Sequence, residues 1–69
     1  MNKKRVVVEG GGNNLYQISE YNGDFVAYYV DVGFITNSYK NIGETRSFEN
    51  AIVLIKVHSG KEIKKISDY

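Results

Sequence analysis

The stretch YNGDFVAYYVDVGF, residues 21–34, constrains the fold more than any other part of this chain. Asn22 and Gly23 both accept the positive φ of a type I′ turn, whose twist matches that of the two strands it joins. A two-residue turn also fixes the register of those strands. The stretch therefore predicts a β-hairpin in which Ile18 lies opposite Ala27.

This register divides the hairpin into two faces, because side chains alternate across a strand. The aliphatic face is predicted to carry Leu15, Gln17, Ser19, Tyr21, Val26, Tyr28, Val30, Val32 and Phe34. The aromatic face is predicted to carry Tyr16, Ile18, Glu20, Phe25, Ala27, Tyr29, Asp31 and Gly33. Both faces carry apolar side chains, so each is expected to be covered by another element or by a second chain.

The rest of the chain predicts further strands and one helix. Residues 3–9 and 61–67 are rich in β-branched and lysine residues, which indicates a strand at each end. Residues 10–14, GGGNN, predict a turn, and 35–46 are irregular apart from a short extended piece around Ile42. The third strand is expected to run from 24 to about 35.

Residues 47–60 predict the helix. Ser47 is a suitable N-cap, Glu49 lies near the positive end of the helix, and Gly60 suits the position after its last residue. An apolar stripe with the helical period is formed by Phe48, Ala51, Ile52 and Ile55. We expect this stripe to cover the aliphatic face of the hairpin.

These elements predict an α+β fold in one domain, residues 1–69. It has two layers: a mostly antiparallel sheet of three or four strands and one helix, in the order β-β-β-α-β. A chain of 69 residues buries only about 60% of its unfolded surface, so association with another chain is an available source of stability. Cysteine is absent, which excludes disulfides.

The sequence contains no motif typical of an enzyme, so we expect no catalytic residues, no metal site and no cofactor. His58 is placed in the last helical turn, where its imidazole suits the negative end of the helix dipole. No run of about 18 apolar residues is present, and the basic N-terminal segment precedes only three valines. We therefore expect a cytoplasmic protein that does not interact with a membrane.

Two surfaces are candidates for binding a protein. Val53 and Val57 lie off the helical stripe and form an apolar pair on its outer side. Tyr16, Phe25 and Tyr29 on the aromatic face either meet a second chain or form the binding surface. The same rings could instead stack unpaired bases, although packing beneath a helix is the commoner use of such residues.

Basic residues concentrate at the two ends of the chain, and the net charge is only +1. They either protect exposed sheet edges from aggregation or bind phosphates. The second interpretation makes them a nucleic-acid site formed by Lys3, Lys4, Arg5, Lys61, Lys64 and Lys65.

Residues 15–60 resemble the HicB-like antitoxin fold family. The segment YNGDFVAYYVDV resembles the family's middle hairpin, and GETRSFENAIVLIK resembles its helix entry, with Ser47 at the cap, Glu49 at an acidic position and Ala51 at the small position. The resemblance implies a non-catalytic β-β-β-α-β module that binds a protein partner, which in the family is a small toxin nuclease.

The sequence thus predicts a small, non-enzymatic protein-interaction module of the antitoxin-like kind. It is expected to act as a homodimer or other homo-oligomer, or with a small partner protein. The alternative is a single-stranded nucleic-acid-binding protein that uses the aromatic face and the basic terminal segments.

Overall fold

The structure is a computed structural model that describes residues 2–68. Within them, a five-stranded antiparallel sheet has the strand order β4-β3-β2-β1-β5. Its elements in chain order are β1 (Lys3–Val8), β2 (Leu15–Tyr21), β3 (Asp24–Asp31), β4 (Ser38–Thr45), the helix α1 (Phe48–Ser59) and β5 (Ile63–Asp68). The α+β class and the two-layer architecture are confirmed.

The β2–β3 hairpin has the predicted register. Asn22 and Gly23 have φ values of 50° and 85°, so both turn positions are left-handed as a type I′ turn requires. Ile18 pairs with Ala27, and Tyr16 pairs with Tyr29. The assignment of side chains to two faces is therefore correct along the paired strands.

The helix begins and ends where its capping residues predict. The Ser47 hydroxyl accepts a hydrogen bond of 3.0 Å from the backbone N–H of Asn50. Gly60 adopts φ 70° and donates its N–H to the carbonyl of Lys56. Both caps satisfy backbone groups that a helix terminus leaves without partners.

The predicted strand count and order are wrong in one respect. Residues 38–45, part of a segment interpreted as irregular, form the edge strand β4, so four strands precede the helix and the sheet has five within residues 2–68. A register shift opposite Ala27 and Tyr28 interrupts its alternation, and Gly43 has φ 154°. Pairing with β3 therefore imposes a strand that local sequence preference does not indicate. The third strand also ends at Asp31 rather than near residue 35.

The helix covers the aromatic face, so the prediction that it covers the aliphatic face is wrong. Phe25 meets Phe48 edge-to-face with ring centroids 6.1 Å apart. The helix can approach here because small residues pair beneath it: Ala27 on β3 lies opposite Gly43 on β4. The core on this side comprises Val6, Val8, Tyr16, Ile18, Ala27, Ala51 and Ile55, with partly buried neighbours that include Phe25 and Tyr29.

The first and last strands lie side by side, since β5 pairs with β1. The side chains of Lys4 and Asp68 form an ion pair there. This pair lowers the pKa of the Asp68 carboxyl, first through its hydrogen bond to Lys4 and then through the charge of that ammonium. The pairing brings the basic residues of β1 and β5 into neighbouring strands, where they are distributed over both faces of the sheet.

Candidate binding surfaces

The open side of the sheet carries three tyrosines around a shallow groove. We call this the tyrosine groove; it is a depression of about 290 Å³ lined by Lys3, Gln17, Tyr21, Tyr28 and Tyr39. The β2–β3 register places Tyr21 and Tyr28 here, and Tyr39 joins them because β4 pairs with β3. Three strands and the start of β1 therefore contribute to one site.

The tyrosine rings form the walls of the groove. Tyr28 and Tyr39 meet edge-to-face, with centroids 6.5 Å apart and planes at 88°. Tyr21 is 40% exposed and Tyr39 is 46% exposed, whereas Tyr28 is half-buried between them. Two of the three rings thus retain substantial contact with solvent.

Tyr28 is the most desolvated phenol of the groove. Burial raises the pKa of Tyr28 above its ordinary value, and the Tyr21 phenol, which hydrogen-bonds to it, and the Glu44 carboxylate raise it further. Tyr28 therefore stays a neutral phenol around neutral pH and keeps a proton to donate.

The floor of the groove is polar. Gln17 and Ser19 are both buried, and the Gln17 side-chain amide donates a hydrogen bond of 2.9 Å to the Ser19 hydroxyl. Buried polar groups are favourable only when they are hydrogen-bonded, and this pair meets that condition. An amide at the floor offers N–H donors and a carbonyl acceptor to whatever occupies the groove.

Charge is unequally distributed over this side of the sheet. Lys3 and Arg5 lie opposite Ser19 and Gln17, and Lys65 lies opposite Val7, which shares their face. Two acids lie on this face: Glu44, which pairs with Val26 near the far edge, and Asp24, which pairs with Tyr21 and lies 4.0 Å from Arg46. The β1 and β5 side of the groove is therefore cationic and the β4 side carries a carboxylate.

A second surface is the β3–β4 loop. Phe34 is fully exposed and Ile35 is 92% exposed, beside the exposed Val32. A Cβ added to Gly33 would lie 2.2 Å from the carbonyl oxygen of Thr36, so the backbone doubles back closely at this point. The loop thus presents large apolar side chains from a tight turn.

The sequence-predicted protein-binding residues divide into two groups. Val53 and Val57 lie exposed on the outer side of the helix, as expected. Tyr16 is only 2% exposed, and Phe25 and Tyr29 pack against the core beneath the helix, so these three do not form an open surface. The helix of the same chain, rather than a second chain, covers them.

His58 belongs to a cluster of rings at the end of the helix. Its Nδ1 lies 2.8 Å from the Tyr16 hydroxyl, and its ring lies 5.6 Å from that of Tyr29. Tyr16 and Tyr29 in turn meet edge-to-face at 5.3 Å. Burial, and then the neighbouring Tyr29, raise the pKa of Tyr16. The contacts of His58 fasten the helix to the sheet.

The predicted nucleic-acid residues do not form one cluster. Lys3 and Arg5 face the tyrosine groove side, whereas Lys4 shares its face with Ile18 and pairs with Asp68. Lys61 precedes β5, and its ammonium lies near Gly10. Lys64 and Lys65 are exposed on the edge strand β5.

The tyrosine groove and the apolar loop are not among the sites predicted from the sequence. The alternation rule already places Tyr21 and Tyr28 on one face, but the expected helix would have covered them. Tyr39 could not be assigned to this face, because the strand β4 that carries it was not predicted. Phe34 was assigned to a strand, whereas β3 ends three residues before it.

In the described part of the chain, no group of three or more histidine, aspartate or glutamate side chains is placed to hold a metal ion. No helix within residues 2–68 is long and apolar enough to cross a membrane. Comparison of the sequence and the structure with protein-family models, curated proteins and solved structures gave no match.

Proposed function

We propose that this chain is a small, non-enzymatic protein-interaction module that associates through its β3–β4 loop with a second copy of itself or with a small partner protein. The observation that carries the proposal is the exposure of Phe34 and Ile35 in one tight loop. Scattered exposed apolar residues are common, but adjacent large ones at full exposure are typical of interaction sites.

The loop has the energetic properties of an anchor. Burying a Phe or Ile side chain contributes about 1.5–3 kcal/mol, so this pair can supply about 3–6 kcal/mol on association. The close approach of Gly33 to Thr36 restrains the loop before binding, which reduces the entropy lost when it docks.

The loop alone is too small for a complete interface. A standard interface covers about 800 Å² on each partner, roughly a sixth of the 4633 Å² surface of this chain. Further apolar area is offered by Val32, which is exposed in the same loop. The loop accordingly acts as the buried centre of a larger contact, and residues around it form the rim.

The antitoxin-like form of the proposal, in which the partner is a small toxin nuclease, rests on the resemblance of residues 15–60 to the HicB-like family. As part of the same proposal the module acts in the cytoplasm. A chain without cysteine fits this reducing compartment, where disulfides are rare. Its action is binding, so it needs neither a cofactor nor a catalytic group.

The test is the molar mass measured by light scattering from micromolar to near-millimolar concentration. We expect a mass that rises above the 7.8 kDa of one chain, and a return to that value in the double variant Phe34→Ser, Ile35→Ser. Val57→Ser is the matched control, because it makes a similar change at an exposed position of the helix. Loss of association in this control alone would place the interface on the helix instead.

The partner-protein form is tested by affinity capture from the native host with the wild-type chain and the double loop variant side by side. A partner that binds through the loop is captured by the wild type and lost with the variant. A chain that stays monomeric at every concentration and captures no protein in a loop-dependent way would contradict the proposal.

A further inference from the structure

We propose that the tyrosine groove binds an unpaired base of a single-stranded nucleic acid, with the adjoining phosphates on its cationic side. Three observations support this site: tyrosine walls, a polar amide floor and a cationic flank, all on the open face of the sheet. The site is separate from the β3–β4 loop and uses none of its residues.

The walls suit a planar aromatic ligand. Base–aromatic stacking contributes about 1–3 kcal/mol per base and tolerates any base, since every base has a π-face. Tyr21 and Tyr39 keep about half of their surface exposed, so ring area is available for stacking. The depression of about 290 Å³ is at the small end of ligand sites and has room for one base.

The floor offers polar groups to the edge of a base. Gln17 lines the groove, and one N–H of its amide is engaged with Ser19. The amide also has a second N–H and a carbonyl oxygen, the donor and acceptor pair with which Asn and Gln recognise base edges.

The charges orient the strand. Lys3 lines the groove, and Arg5 and Lys65 share its face on the β1 and β5 side. The acids lie away from that side: Glu44 is on β4, and Asp24 is at the β2–β3 turn, where it pairs with Arg46. Phosphates are attracted to the cationic side and repelled by the acids. The nucleic-acid backbone therefore runs over β1 and β5, and its base reaches across toward Tyr28 and Tyr39.

This arrangement also answers why the aromatic face is unsuitable. Its rings lie beneath the helix, and the hairpin acids Glu20 and Asp31 belong to that face. On the open side Tyr21 and Tyr39 are exposed, and Lys3 and Arg5 of β1 lie on the same face. An acidic peptide would also be attracted to this cationic side, but three rings around the groove favour a base over a carboxylate side chain.

The primary test is fluorescence anisotropy of a fluorescein-labelled oligothymidylate of about ten nucleotides, titrated with the full chain. With two or three phosphate contacts, the logarithm of affinity falls with that of salt at a slope of about −1.4 to −2.1. Raising the salt from about 50 to about 200 mM should then weaken binding roughly 7- to 18-fold.

Variants locate the binding to the groove. Tyr39→Leu is expected to weaken binding by about 5- to 150-fold, which corresponds to the loss of one stacked base, while Tyr39→Phe keeps the ring and stays within about twofold. Lys3→Gln should make the salt slope shallower by about 0.7, and Glu44→Gln should tighten binding. Circular dichroism confirms that each variant is folded.

Phe34→Ser is the control that separates this site from the proposed function: it should leave oligonucleotide affinity unchanged while it affects association. Thymidine monophosphate is added as a competitor. Displacement of the labelled oligonucleotide by thymidine monophosphate at low concentration supports recognition of a base with its phosphate and identifies a free nucleotide as the ligand. Displacement only by longer strands identifies single-stranded nucleic acid as the ligand.

Two results would overturn the inference. One is the absence of oligonucleotide binding at about 50 mM salt, where electrostatic attraction is strong. The other is equal affinity of Tyr39→Leu and the wild-type chain. Binding of a labelled oligoglutamate peptide, without binding of the oligonucleotide, would assign the groove to an acidic peptide instead.

Discussion

Replacing Gly43 by alanine tests whether the helix lies over the β3–β4 pair. A Cβ at this position would lie 2.7 Å from Cδ1 and 3.3 Å from Cδ2 of Leu54 in the helix. Carbon atoms in favourable contact are about 3.5–4.0 Å apart, so the new methyl overlaps Leu54 by about 1 Å. Gly43 also has φ 154°, a conformation that residues with a side chain rarely adopt.

Both effects destabilise the folded state. Overpacking costs about 1–3 kcal/mol, and Leu54 is partly exposed, so it can yield and bring this cost to the lower end. Backbone strain in a sparsely populated region costs about 1–3 kcal/mol. We expect Gly43→Ala to lower the free energy of unfolding by about 2–4 kcal/mol, a large share of the roughly 3.5–10 kcal/mol typical of a domain this size.

The assay is urea unfolding followed by circular dichroism. Gly11→Ala is the matched control: no atom lies within 4 Å of its added Cβ, so its stability should change by less than about 0.5 kcal/mol. In a Leu54→Ala background the overlap disappears and only the backbone strain remains, so the cost of Gly43→Ala should fall without vanishing. A cost below about 0.5 kcal/mol in the wild-type background would refute the packing of the helix on β4.

Three further predictions follow from the helix and its core. Ser47→Ala removes the N-cap acceptor for Asn50 and should cost about 1 kcal/mol in urea unfolding; an unchanged midpoint would contradict the cap. Ile55→Val should cost about 0.5–1.5 kcal/mol because Ile55 is fully buried, whereas Val57→Ala should change stability by less than about 0.5 kcal/mol; equal effects would contradict the orientation of the helix. The pKa of Tyr16 is raised in the folded state, so the phenol of the unfolded chain ionises first as pH rises. The contribution of the neutral Tyr16 phenol to stability is therefore fully present below about pH 10 and is lost as pH rises through the folded-state pKa. Tyr16→Phe should therefore show a shallower loss of stability at alkaline pH than the wild type, and an identical decline would contradict the burial of this phenol.

The elements that local chemistry determines could be predicted from the sequence. Asn22 and Gly23 specify both the turn and the register, because few residues accept positive φ at both positions. Ser47 and Gly60 specify the helix ends in the same way, through hydrogen bonds made within a few residues.

The edge strand β4 could not be predicted, since its formation depends on a distant partner. Its residues Ser38–Thr45 contain glycine, asparagine and lysine, which do not favour a strand locally. Hydrogen bonding to β3 determines its conformation, and the register shift there removes the alternation that a sequence pattern would reveal.

The choice of the covered face also depends on packing between elements. The small residues Ala27 and Gly43 pair on the aromatic face and let the helix approach it, and this pairing depends on β4. The candidate groove lies on the face that the helix leaves uncovered. The position of the helix therefore determines which tyrosines are exposed. The sequence places Tyr21 and Tyr28 on one face, but it does not predict that this face is exposed.

The central structural claim is that the helix buries the aromatic face and leaves the tyrosine groove and the β3–β4 loop exposed. Hydroxyl-radical labelling of the dilute chain, read by mass spectrometry of each tyrosine, tests it directly, because the compared side chains have the same intrinsic reactivity. We predict rapid modification of Tyr21 and Tyr39 and slow modification of Tyr16. Modification of Tyr16 as fast as that of Tyr39 would contradict the account.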